Sequence, residues 1–165
     1  MVLCCSALTL SLCSCGRDLP PEIGHVTPAS GHGRAQTFRF EASYPGGAEN
    51  ISDMQVFFAA SLTDNAACMV EIANGMNSIT LRTSDGKGNF QPAAAIQVGS
   101  PGTLANDKCS VAVNQVKVDR NGNQVAVAVP IVFTEALKGD LKVWVIASGP
   151  TKHSGWQERG AWTVE

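Results

Sequence analysis

Alternation of apolar and polar side chains with a period of two dominates this 165-residue chain from Gln36 onward. Phe38, Phe40, Ala42 and Tyr44 interleave with Thr37, Arg39, Glu41 and Ser43. Successive side chains of a strand point to opposite faces, so this pattern makes a strand with one buried face and one wet face. The same period runs through Cys68, Val70 and Ile72, through Val125, Val127, Val129, Ile131 and Phe133, and through Leu141, Val143, Val145 and Ala147, with Trp144 on the second face. Ile51 to Ala60 reads as another strand, and its run Met54-Gln55-Val56-Phe57-Phe58 is apolar enough to be central.

Turn residues separate these runs. Pro45-Gly46-Gly47, Asp64-Asn65, Asn74-Gly75 and Gly149-Pro150 each stop a strand. Asp119-Arg120-Asn121-Gly122-Asn123 is the strongest hairpin signal. Shorter strands are expected at Ile23–Thr27, Ser78–Thr83, Ala95–Val98 and Gly160–Val164, and Phe90 to Gly102 carries the least pattern. Cys109, Val111 and Val113 share one face, but Val116 and Val118 continue on the other parity, so a bulge or bend is expected at Asn114-Gln115. Pro130 interrupts its run and predicts an edge position or a bulge. Helix is limited to a single turn at Thr134–Lys138. Eight to ten short strands at regular spacing make this an all-β chain, an antiparallel β-sandwich with a closed barrel as the alternative.

The N-terminal end has a different character. Met1 to Cys15 holds no charged residue, and the first charge is Arg17. An apolar core of roughly a dozen residues is shorter than the ~20 a transmembrane helix needs, and it suits the apolar region of a signal peptide. The run Leu12-Cys13-Ser14-Cys15-Gly16 resembles a bacterial lipoprotein signal, which implies that Cys15 is lipidated and becomes the first mature residue. An ordinary secretion signal and a buried N-terminal strand are the alternatives. The expected organisation is a signal segment at 1–15, a Pro/Gly-rich tether at 16–35 (Pro20, Pro21, Pro28, Gly31, Gly33) and a sandwich domain at 36–165. The expected location is extracytoplasmic and membrane-anchored, at the outer membrane or cell surface in a Gram-negative cell, or otherwise secreted.

Four of the six cysteines, Cys4, Cys5, Cys13 and Cys15, lie in the signal segment. Cys68 and Cys109 remain, and in an oxidising compartment an isolated pair forms a disulfide. Two buried free thiols are the alternative. Around this pair His25, His32 and His153 show no zinc-ligand spacing. Net charge is −2 with both signs interspersed, which argues against a nucleic-acid surface.

An ordered series of short motifs runs along the chain. Pro28-Ala29-Ser30-Gly31-His32-Gly33 precedes Gln36-Thr37-Phe38-Arg39-Phe40. Ala67-Cys68 and Lys108-Cys109 then open two strands, and the Asn-rich hairpin leads to Ile131-Val132-Phe133. His153-Ser154-Gly155-Trp156-Gln157 precedes Gly160-Ala161-Trp162-Thr163-Val164. In these motifs and their order the chain, from Gly31 to Val164, resembles an immunoglobulin-like module of large secreted and surface proteins of acidobacteria. The resemblance implies an immunoglobulin-like sandwich with paired cysteines and a spacer or adhesion role, with no catalytic residues to carry over.

Chemistry-bearing motifs are sparse. No GxSxG, HExxH, Walker loop or dinucleotide fingerprint occurs. His153 and Ser154 are neighbours that a strand would point to opposite faces. Asp119, Asn121 and Asn123 space three oxygens as the start of a calcium loop does, but Asn-Gly is better explained as a tight turn. Asp85, Asn89 and Asp107 also sit in loops. Neither a cofactor nor a metal site is expected. Trp144, Trp156 and Trp162 are the candidate ligand-binding residues: Trp144 and Trp162 would stack on a sugar ring or partner if they lay side by side on an outer face, whereas core packing is the competing role for Trp156 and Trp162. The expected function is a non-catalytic, lipid-anchored envelope module that binds or spaces other envelope proteins, with a carbohydrate-binding sandwich as the alternative and an enzyme or inhibitor as a third reading. Replacing Cys15 by Ala is expected to abolish palmitate labelling and release the protein in soluble form; continued labelling would contradict lipidation at this residue.

Overall fold

The structure, a computed structural model, describes residues 19–165. The expected signal segment and lipidated Cys15 lie outside the described residues. Among the described residues fourteen strands form: β1 Glu22–Thr27, β2 Ser30–His32, β3 Ala35–Ser43, β4 Asp53–Ala59, β5 Cys68–Ala73, β6 Ser78–Ser84, β7 Phe90–Pro92, β8 Ile96–Gln97, β9 Thr103–Ala105, β10 Cys109–Ala112, β11 Lys117–Asn121, β12 Gln124–Phe133, β13 Gly139–Ser148 and β14 Gln157–Val164. The excess over eight to ten comes largely from β2, β7 and β9, pieces of three residues too short to show alternation, whereas the strand expected at Ala95–Val98 forms as β8. One sheet has the order β1-β3-β12-β10-β9, with β11 also on β12, and the larger sheet runs β2-β14-β13-β4-β5-β6-β7, with β8 also on β6. This is the strand order of a variable-type immunoglobulin sandwich, with β1, β3, β12 and β10 in one sheet and β14, β13, β4, β5 and β6 in the other.

The first strand of that arrangement is split between the sheets. β1 pairs antiparallel with β3, the chain turns at Thr27-Pro28, and β2 pairs parallel with β14. The sandwich therefore begins at Glu22, inside the stretch expected to be a tether. Ile23 and Val26 are buried, which outweighs the Pro and Gly content that suggested irregular chain. Trp162 fixes β2 in place. Its indole Nε1 donates to the Gly33 carbonyl at 2.8 Å, and its ring lies so close to Gly31 that a Cβ there would come within 2.5 Å of it. At the same edge β14 bulges at Arg159, whose guanidinium donates to the Ile23 carbonyl at 3.0 Å and ties β14 to β1.

The core lies between the sheets. Phe38, Phe40, Phe58 and Phe133 are fully buried, with ring centroids 4.9 Å apart for Phe38 and Phe58 and 5.2 Å for Phe58 and Phe133. Each such side chain contributes about 1.5–3 kcal/mol of burial. The parity slip at Asn114-Gln115 is a single 3₁₀ turn, Val113–Gln115, between β10 and β11, and Val113 and Val116 are both buried across it. Pro130 is on neither an edge nor a bulge. It sits in interior strand β12 where the partner changes, between the pairs Ala128–Lys117 and Ile131–Val111, so the ladder on that side asks no N–H of it. The Asn121–Gln124 pair closes a two-residue hairpin loop, and Gly122 supplies the positive φ (57°).

Cys68 opens β5 in the larger sheet, Cys109 opens β10 in the smaller, and a disulfide joins them across the core. Antibody domains place the corresponding bridge between the strands equivalent to β3 and β13; here that space is filled by side chains such as Phe38 and Val145. The bridge closes a loop with a sequence separation of 41. Replacing both cysteines by Ala is expected to lower unfolding free energy in urea by about 4 kcal/mol, and a loss below about 1 kcal/mol would contradict a bridge that restrains the unfolded chain.

Candidate functional site

Strand β4 is apolar on both sides. Met54, Val56 and Phe58 enter the core, while Gln55, Phe57 and Ala59 face away from it. Register then assembles a row across the outer face of the larger sheet: Trp144 on β13 opposite Phe57, Phe57 opposite Met69 on β5, and Met69 opposite Arg82 on β6. Phe57 and Met69 are buried although they lie outside the core, because Phe90, Trp144 and Trp156 pack over them. The Phe57 ring is 5.3 Å from Phe90, nearly perpendicular, and 5.9 Å from Trp156.

This cluster is incompletely covered. A cleft of about 310 Å³ opens between Leu62, Phe90 and Trp156, with Phe57 and Met69 below and Gln55 and Arg82 at one side. Leu62 is 38% exposed, one of few large apolar side chains so open among the described residues. The polar side is ordered. Arg82 Nε donates to Glu71 Oε2 at 2.8 Å, Arg82 Nη1 donates to the Phe90 carbonyl at 3.0 Å, and Gln55 Nε2 donates to Glu71 Oε1 at 3.3 Å. The Arg82–Glu71 pair is largely shielded from water, and it holds the Phe90 segment against the sheet.

The three tryptophans separate. Trp162 pairs with Leu141 and shares its inward face, so it joins the core edge-on to Phe38 at 5.0 Å. Trp144 faces outward, so the two do not form a side-by-side outer platform. Trp156, one of the two weighed as core, packs with Trp144 on the outer cluster. Lys142 Nζ stands 5.6 Å from the Trp144 ring centre, and Trp144 Nε1 is shielded without a hydrogen-bond partner among the described residues. Phe57, Met69, Arg82, Gln55 and Phe90 were not singled out in the sequence. The available signal was Phe57-Phe58: adjacent aromatics on one strand must face opposite ways, so one of them lies outside the core.

The other polar candidates are committed to structure. Asp119 pairs with Arg39 at 3.3 Å, and the Asn123 carbonyl accepts the Tyr44 N–H at 2.9 Å. Asp85 accepts from the Asn89 side chain and from the Lys87 and Asn89 backbone N–H groups. These bonds, that of the Asn89 side chain foremost, hold its carboxyl below the usual carboxylate range. Ser154 Oγ donates to the Gly155 carbonyl, and His153 Nδ1 accepts the Gly155 N–H. Among the described residues no group of three or more His, Cys, Asp or Glu is placed to hold a metal. A second cavity of about 380 Å³ near the disulfide is lined by Asn65, Thr83, Asn106 and Lys108 without an aromatic ring, and one of about 320 Å³ on the smaller sheet lies over the Arg39, Glu41 and Asp119 ion pairs. Compared with known protein families and curated protein sequences, the chain gives no match.

Proposed function

We propose that this chain is a non-catalytic immunoglobulin-like module of the bacterial cell envelope, attached to a membrane through lipid on Cys15 and engaging a partner at the aromatic cleft of its larger sheet. The observation that carries the reading is the Phe57, Phe90 and Trp156 cluster, placed outside the core and left partly open. Contiguous apolar surface of this kind marks interaction sites. The disulfide suits an oxidising compartment, and among the described residues no helix is long and apolar enough to cross a membrane.

The orientation of the module fits the same role. Pro21 packs beside Gly149, just past the Ser148 end of β13, whereas Leu62 follows β4 at the Gly139 end. The nine steps of β13 span about 30 Å. A chain tethered from its N-terminal side therefore carries the Leu62 rim of the cleft at the far end. The resemblance to surface modules of acidobacteria points to the same setting.

A photo-crosslinking amino acid at Leu62, introduced in cells, is expected to give a discrete adduct, protein or glycan, that is lost with Trp156→Ala. The same group at Thr37, on the outer face of the smaller sheet, is expected to give none. Equal labelling from both positions, or none from Leu62, would contradict the assignment of this face.

A further inference from the structure

We infer that the cleft takes one neutral sugar ring of a glycan chain; this rests on the reading of the cleft as the working surface. The first argument is the pairing of an apolar side with a polar side. A pyranose presents a C–H face that packs on aromatic rings and hydroxyls that both donate and accept. Phe90 and Trp156 are each half-buried and line the cleft, so ring surface remains open to it. On the other side Arg82 uses Nε and Nη1 for Glu71 and Phe90, which leaves Nη2 as a donor. Gln55 uses Nε2 for Glu71, which leaves its Oε1 as an acceptor. A hydroxyl-bearing ring meets both, whereas a purely aliphatic side chain would desolvate them without return.

Charge and size narrow the ligand. Arg82 and Glu71 neutralise each other within the site, at 2.8 Å. A cation would enter beside the Arg82 guanidinium, and an anion would enter beside the Glu71 carboxylate. An uncharged ligand disturbs neither. At about 310 Å³ the cleft stands near the lower end of small-ligand sites, which run from ~300 to ~1,000 Å³, so it holds one ring and leaves the rest of a chain outside. Leu62 and Gly88 on one side are exposed, so the rest of a glycan would leave the cleft past them.

Titration calorimetry and tryptophan emission on the full chain test this with short neutral oligosaccharides (gluco-, manno-, xylo- and chito-series) beside oligogalacturonate as the anionic comparison. At least one neutral series is expected to saturate and to shift tryptophan emission. Trp156→Ala and Phe90→Ala are each expected to weaken it about tenfold. Thr37→Ala, on the exposed outer face of the smaller sheet, is expected to leave it within about twofold. Tighter binding of oligogalacturonate would overturn the neutral assignment. If no oligosaccharide saturates while Leu62 still crosslinks to a protein or to a second copy of this chain, the glycan inference falls and the interaction module stands. If neither is seen, both fall.

Discussion

Two adjacent aromatic residues on one strand, Phe57 and Phe58, set the terms for the rest of this molecule. A strand cannot turn both the same way. Phe58 goes inward and joins Phe38, Phe40 and Phe133, the aromatic centre against which both sheets close. Phe57 goes outward, where an ordinary sandwich would present polar side chains to water. The larger sheet therefore has two apolar faces. One makes the fold, and the other gathers Met69, Phe90, Trp144 and Trp156 into a second cluster that the chain only partly covers.

The fold around this strand is held at its margins. The disulfide ties β5 to β10 across the core, and Trp162 and Arg159, both on β14, fasten the two halves of the split first strand, β2 and β1, to β14. The remaining sheet edges are short or charged: β9 and β7 have three residues each, and β11 presents Lys117, Asp119 and Arg120. Such edges resist pairing with other chains. Strand addition at an edge is therefore disfavoured, and the proposed partner would be held by the side chains of the cleft.

Much of the architecture was legible because alternation is a direct record of which face is buried. The long strands β3, β12 and β13 follow from it, whereas the hairpin was legible from Asn121-Gly122 and the Cys68–Cys109 bridge from an isolated cysteine pair in an exported chain. The strand expected at Ile23–Thr27 forms as β1, but the surrounding stretch is part of the sandwich and not a tether, because Pro and Gly report local backbone preference whereas Ile23, Val26 and Gly31 owe their positions to packing and to Trp162. The stretch from Phe90 to Gly102 was the least readable because β7 is too short for a period, although the short strand expected at Ala95–Val98 forms as β8. The candidate site was half legible. The alternation in β13 turns Trp144 away from the core, whereas nothing local in the sequence separates Trp156, on the outer cluster, from Trp162, in the core. The row of Phe57, Met69 and Arg82 depends on register between three strands, which a single sequence does not state.

The central claim is that the outer aromatic cluster serves a partner while the inner one serves the fold. Urea unfolding of Trp156→Ala beside Phe58→Ala tests it most directly. The account predicts a loss of about 3–5 kcal/mol for Phe58→Ala, as for a buried core aromatic, and less than about 1.5 kcal/mol for Trp156→Ala. Equal losses for the two would show that Trp156 belongs to a second structural core, and would contradict the claim.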